Sequence, residues 1–254
     1  MRPSASRNLT WTRGLGHSRH RHEGTLAKER NRRKKMTTAI IGIGNIGGIV
    51  ARDLATGGEH VVLSAGNVDD VKKLAAEIGS LATAAETNRD AVERADNVVV
   101  ALWLDAMKVV IPEVADLLRG KLVIDTSNPI SVGGDGKVSR TLPDGQSAGE
   151  VVSGLLPRGT KYAKAFGTLP APLLAASAHR EPKPAVLFYT TDDVAAAGEV
   201  ERLIRIAGYD AVKAGGVRDS LRIEVGGDLH AFGGLNGRLV DKEEGASLVA
   251  LSKV

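Results

Sequence analysis

The chain has 254 residues, 43% of them hydrophobic and 25% charged, and contains no cysteine. That apolar fraction supports a folded core, and the missing cysteine excludes disulfides, thiolate catalysis, iron–sulfur clusters and cysteine-zinc sites. The net charge of +4 is unevenly split: residues 1–35 carry 11 Lys/Arg against 2 Asp/Glu, a net +9, and the other 219 residues carry a net −5. No nucleic-acid partner is therefore expected of the globular part. The longest apolar run, near Val98–Leu104, is too short to span a bilayer. No secretory hydrophobic region is present, so no membrane partner and a cytoplasmic location are expected.

Residues 1–35 lack hydrophobic periodicity and read as a disordered basic extension ahead of a working start at Met36. A basic tail that touches nucleic acid or acidic partners is the other reading. From Thr37 short apolar runs alternate with helix-period segments. Ala39–Ile43 predicts a strand, Asn45–Ala55 a helix, His60–Leu63 a strand and Val68–Ile78 a helix. A short strand at Leu81–Ala84, a helix around Arg89–Ala95 and a strand at Val98–Leu102 follow. Met107–Leu118 predicts a helix that kinks or restarts at Pro112, and Lys121–Asp125 a strand. Residues Ser131–Gly149 read as loop, and Glu150–Leu156 as a helix. Strands at Tyr162–Phe166 and Ala185–Thr190, a helix at Val194–Ala207 and a strand at Asp210–Lys213 complete the pattern. The segment Val217–Phe232 has helical periodicity weakened by Gly226 and Gly227.

Continuous apolar strands separated by helices imply a parallel sheet covered on both faces. The fold expected is α/β, a Rossmann-type doubly wound parallel sheet with a small carboxyl-terminal α/β extension. The division expected is 36–158 for a dinucleotide-binding domain and 159–254 for a smaller lobe that binds the acceptor.

Gly42-Ile43-Gly44-Asn45-Ile46-Gly47 is GxGxxG placed between a predicted strand and a predicted helix. Gly42 permits the turn, Gly44 lets a pyrophosphate reach the backbone, and Gly47 lets helix and strand pack closely. The helix start offers free N–H groups and a positive dipole end to the phosphates. An NAD site usually places an acid at the end of the second strand. This chain has Leu63-Ser64-Ala65-Gly66-Asn67 there. Ser64 and Asn67 are candidate phosphate ligands, with Lys72 or Lys73 nearby, so NADP is expected over NAD. Ordinary turn chemistry is the alternative for both residues.

The glycine turn, Leu63-Ser64, Ala101-Leu102-Trp103, the run Val123 to Pro129 (Val-Ile-Asp-Thr-Ser-Asn-Pro), the run Lys164 to Leu169 (Lys-Ala-Phe-Gly-Thr-Leu) and the run Phe188 to Asp193 occur in the order seen in one family. The chain resembles the deazaflavin-dependent NADP oxidoreductases over about Thr37 to Ala214. The resemblance implies hydride transfer between NADP(H) and the deazaflavin coenzyme F-420. It implies that Ala101, Leu102 and Trp103 line the nicotinamide side, that Asn128 and Pro129 lie near the reacting rings, and that Gly167, Thr168 and Leu169 meet the deazaflavin. Family members often have Asn where this chain has Gly167, and Arg where it has Ala65. Trp103 is also readable as a buried anchor, Asn128-Pro129 as a turn, and Thr168 as a strand-end hydroxyl.

No catalytic acid or base is assigned, because transfer between stacked rings needs position more than a proton donor. His60 reads as structural, His179 as an exposed polar residue, and His230 as a surface or interface residue, with a substrate-facing role as the alternative. Asp125 reads as a loop-orienting or hydroxyl-binding group, or as a turn residue. No metal-ligand spacing occurs, so no metal is expected. Alternatives are reduction of a flavin, a quinone or a small carbonyl or imine, and a non-catalytic NADP(H) sensor. The apolar residues of Leu221–Leu235 either cap the fold or meet a second subunit in a possible homodimer.

Overall fold

The computed structural model describes residues 36–251. The basic segment 1–35, with its expected disorder, lies outside the described residues. The chain enters β1 (Thr37–Ile41), α1 (Asn45–Thr56), β2 (His60–Ser64), α2 (Val68–Ile78), β3 (Ala82–Ala84), α3 (Asn88–Glu93), β4 (Asn97–Val100), α4 (Leu104–Glu113) and β5 (Leu122–Asp125). A hairpin of β6 (Ile130–Val132) and β7 (Val138–Arg140) follows, then α5 (Ala148–Leu155), β8 (Lys161–Lys164), α6 (Ala171–Ser177) and β9 (Val186–Thr190). The last elements are α7 (Val194–Ile206), β10 (Asp210–Gly215), a 3-10 segment Val217–Ile223 and α8 (Lys242–Leu251).

Eight strands form one sheet in the order β10-β9-β8-β5-β4-β1-β2-β3. The six from β8 to β3 run parallel. β9 and β10 are parallel to each other and join the block through one antiparallel pair, Lys164 with Thr190. The expected doubly wound sheet with a small α/β extension is therefore what forms. Alternate strand residues face opposite ways, as a pleated strand dictates. Ile40, Leu63, Val99, Ile124 and Ala163 pack under α1, α2 and α7. Ala39, Ile41, Val62, Val98 and Val123 pack on the other face under α3, α4 and α5.

Three local expectations are corrected. The helix expected at Met107–Leu118 starts at Leu104, contains Pro112 and ends at Glu113, where a 3-10 turn, Ala115–Leu117, takes over; proline removes one backbone donor and crowds the preceding turn. The loop expected at Ser131–Gly149 contains the β6–β7 hairpin. The segment Val217–Phe232 is helical only as the 3-10 stretch Val217–Ile223, after which close-packed turns replace it.

At the amino edge of the sheet the two halves are tied by charge. Arg202 of α7 makes two hydrogen bonds, 2.9 and 3.1 Å, to the buried Glu59 and two more to Glu199. Glu59 also accepts from Thr38 Oγ1 at 2.7 Å, and Glu199 from Asn97 Nδ2 at 2.7 Å. Arg202→Met leaves the Glu59 carboxylate buried without its cation. Because Arg202 is itself one-third exposed, the expected loss is about 2 kcal/mol, below that of a fully buried pair. A urea unfolding midpoint unchanged from the wild type would contradict this.

Candidate active site at the carboxyl edge

Ile41, Val100, Asp125 and Lys164 lie side by side across β1, β4, β5 and β8. Three residues beyond each comes Gly44, Trp103, Asn128 and Gly167 in turn. The register thus sets four segments in adjacent positions at the carboxyl edge. The strand order reverses between β1 and β4, which is the crevice where open α/β sheets bind ligands.

The glycine turn meets its requirements in detail. Gly42 has φ +89°, and a Cβ there would stand 2.5 Å from the Ala101 carbonyl oxygen. A Cβ on Gly47 would stand 1.9 Å from the Gly42 carbonyl oxygen. A Cβ on Gly44 would meet nothing within 4 Å. The first two glycines are demanded by the protein's own packing, while the third leaves open space. Gly44 is the N-cap of α1, which has no side-chain cap and no acid in its first turn. In contrast, α2, α3, α5 and α7 are capped by Asn67, Thr87, Ser147 and Asp193. The first-turn N–H groups of α1 have no side-chain acceptor, which fits a pyrophosphate.

At the end of β2, Ser64 is buried and donates to Asn88 Oδ1 at 2.7 Å. Asn67 Oδ1 accepts from Asp69 N–H at 3.0 Å and caps α2. Both side chains thus have local partners. Lys72 is ion-paired with Glu86 at 3.1 Å on the surface. Asn88, which holds Ser64, carries no motif, and only the fold brings it there.

Beneath the β5 and β8 ends lies a charged cluster that no spacing rule reveals. Lys164 is 1% exposed. Its Nζ donates to Asp125 Oδ2 at 3.0 Å and to the Ser127 carbonyl at 2.6 Å, and lies 3.6 Å from Glu224 Oε1. Asp125 also accepts from Tyr162 OH at 2.9 Å and from Ser127 N–H at 2.7 Å, so it orients the loop. Glu224 Oε1 accepts from Gly149 N–H at 3.0 Å in the first turn of α5. Burial raises the Glu224 carboxyl above its usual range, against the opposing pull of Lys164 and the α5 amides. Burial likewise lifts the Tyr162 phenol, helped by the Asp125 charge.

Three loops are locked above this cluster. Gly167 O accepts from Asn128 Nδ2 and from His230 Nε2, both at 3.0 Å. Asn128 Oδ1 accepts from Val225 N–H at 2.8 Å, and Ala231 N–H donates to Thr168 O at 3.0 Å. Phe166, fully buried, turns the chain into this region with φ +62°. A left-handed non-glycine residue costs on the order of 1–3 kcal/mol and marks a site held by its surroundings. Asn128 and Gly167 are therefore in direct contact. Trp103 is 59% exposed, so the buried-anchor reading does not hold. Thr168 is buried and its Oγ1 has no partner, whereas the Leu169 side chain packs into the core.

His230 corrects the surface or interface expectation, since it is 2% exposed. Its Nε2 faces a carbonyl and must donate, while its Nδ1 accepts from Phe232 N–H at 2.8 Å. The ring is neutral in a single tautomer, and burial lowers its pKa to about 4. Unfolded, it titrates near 6.5. The fold therefore loses stability as pH falls from about 6.5 towards 4, by up to about 3 kcal/mol from this group. Asp53 acts oppositely: burial raises it to about 6, so its contribution grows as pH falls below that value. His230→Gln should remove the acid-side loss and leave the Asp53 contribution, as read by urea unfolding between pH 4 and 7. An unchanged slope would overturn this assignment.

Among the described residues no helix is long and apolar enough to cross a membrane, and no group of three or more His, Asp or Glu is placed to hold a metal ion. Ile223, Leu229 and Leu235 of the Leu221–Leu235 segment are buried in a core cluster of their own chain.

The parallel sheet and the glycine turn at its switch point define a Rossmann-type dinucleotide-binding protein. Comparison with known proteins finds its relatives among oxidoreductases. Residues 37–129 match the family model described as NADP oxidoreductase, coenzyme F420-dependent. The chain is 29% identical over 199 residues to the F420-dependent NADP reductase of Methanothermobacter thermautotrophicus, covering 74% of this chain and 85% of the relative. The structure of a hypothetical protein from Sinorhizobium meliloti superimposes with a TM-score of 0.71 and 28% identity, over 84% of this chain and 99% of that one. A candidate F420-dependent NADP reductase from Arthrobacter sp. FB24 shares the fold, with a TM-score of 0.62 and 22% identity over 72% of this chain and 86% of that one. The chain is thus similar to the F420-dependent NADP oxidoreductases, as the motif resemblance implies.

Proposed function

We propose that the protein binds NADP(H) at the glycine turn and exchanges a hydride with a second bound ring, a deazaflavin of the coenzyme F-420 type. The observation that carries the reading is the register that sets Gly44, Trp103, Asn128 and Gly167 beyond one row of four adjacent strands. Bound NADP(H) would supply the hydride donor or acceptor. The chain's part would be position: α1 would hold the pyrophosphate, Ala101–Trp103 would flank the nicotinamide, and the locked loops at Asn128-Pro129 and Gly167–Leu169 would hold the second ring. NADP is favoured over NAD because no acid follows β2 at Ser64 or Asn67. The division of labour proposed is a nucleotide-binding part, 36–158, and an acceptor-binding part, 159–254, working in the cytoplasm.

A spectrophotometric exchange assay on the full chain tests this. NADPH and NADH are each offered with coenzyme F-420, and with FMN in parallel. Rapid exchange from NADPH to F-420 alone is the expected result. Exchange only with FMN moves the assignment to a flavin. Tight NADPH binding without exchange to any acceptor overturns the reading in favour of a sensor.

A further inference from the structure

Seven aromatic side chains (Phe, Tyr, Trp) lie among the described residues, and five of them are buried. The two exposed ones are Trp103 and Phe232, the latter 62% exposed. A single exposed Phe is ordinary on a protein surface. Phe232 differs in how firmly its backbone is held. Its N–H donates to the buried His230 Nδ1 at 2.8 Å, and its carbonyl accepts from Gly226 N–H at 3.0 Å. The residue before it is bonded to Thr168 O, and the residue before that to Gly167 O. The turn is closed behind it as well, since a Cβ on Gly233 would stand 2.0 Å from the Gly227 carbonyl oxygen. A neutral buried histidine and a close-packed glycine turn thus hold an apolar ring in water, one residue beyond the backbone bond from Ala231 N–H to Thr168 O.

From this geometry we infer that Phe232 is a wall of the acceptor site and selects a flat aromatic acceptor over a small carbonyl or imine. The inference rests on the proposed assignment of Gly167–Leu169 to the acceptor side. The occupant is the face of the acceptor ring. A rigid aromatic side chain covers a flat ring at small entropic cost, in offset-stacked or edge-to-face contact.

The test is equilibrium dialysis of the full chain and its Phe232→Ala and Phe232→Trp variants against coenzyme F-420, FMN and NADPH. Sedimentation and thermal unfolding are measured alongside. Phe232→Ala is expected to weaken binding of the ring acceptor by about tenfold, equivalent to about 1.4 kcal/mol, with NADPH affinity, melting temperature and oligomeric state unchanged. Phe232→Trp is expected to keep acceptor affinity within about threefold of the wild type. Equal acceptor binding by wild type and Phe232→Ala overturns the inference, as does wild-type binding of neither ring. A Phe232→Ala effect that follows dissociation of a dimer overturns it too, and assigns Phe232 to a contact between copies. Dialysis reads binding alone, so a ring bound but never reduced refutes the proposed function and leaves the role of Phe232 standing.

Discussion

Replacing Gly44 by Asp is expected to weaken NADP(H) binding by about 100-fold, close to 3 kcal/mol, and to leave the fold intact. A side chain at position 44 meets no protein atom within 4 Å, and the residue's φ of −66° is open to any amino acid. It does occupy the space through which a pyrophosphate approaches the α1 N–H groups, and it sets a negative charge against the phosphates. Gly47→Ala is the control with the opposite signature. Its methyl group would stand 1.9 Å from the Gly42 carbonyl oxygen and 2.9 Å from Ala101 Cβ, so α1 must move off β1 and β4. Overpacking of this severity costs about 3 kcal/mol, and it lowers stability and binding together. Calorimetric titration with NADPH and thermal unfolding of both variants separate the two roles. If Gly44→Asp unfolds, or binds NADPH as the wild type does, the glycine turn is not a phosphate site.

The contrast explains what the sequence could convey. The two glycine roles are local, fixed by a strand, a turn and a helix within one short segment, and they are readable from spacing alone. The parallel order was equally accessible, because fully apolar strands such as Val98–Val100 and Leu122–Ile124 need cover on both faces. The Lys164 cluster was not. Asp125, Lys164 and Glu224 are far apart in sequence, and each carries a charge that composition assigns to the surface. They meet because β5 pairs with β8 in register and because the segment after Ile223 folds back over both strand ends. The burial of His230 is hidden from the sequence for the same reason. The residue sits in a polar, glycine-rich stretch that reads as exposed, and its burial depends on the carbonyl of Gly167, 63 residues away. The β6–β7 hairpin was hidden by short, exposed strands whose composition is that of a loop.

Lys164→Met is expected to give the largest stability loss, about 4 kcal/mol, because it strands two carboxylates in the interior. Asp125 would keep Tyr162 OH and Ser127 N–H, and Glu224 would keep Gly149 N–H, but neither would have a cation. For a chain of this size the melting temperature should fall by on the order of 10 °C. The pH dependence gives the diagnostic sign. Burial already raises the Glu224 carboxyl against the pull of Lys164, so without the lysine the folded state holds a proton there more tightly still than the unfolded state. The defect should therefore be greatest near pH 8 and should shrink as pH falls towards 5. A variant that merely lost packing at position 164 would show the same deficit at both values. A loss below about 1 kcal/mol at pH 8 would show that the cluster tolerates its missing charge. The consequence reaches the site, since the cluster holds the loop that carries Asn128 and the segment that runs from Glu224 to Phe232. In folded Lys164→Met at low temperature, the rate of hydride exchange should fall more than NADPH affinity does. The glycine turn at the start of α1, proposed as the phosphate site, follows β1, two strands from Asp125, and keeps its geometry, while the loops proposed to meet the acceptor lose the ion pair beneath them.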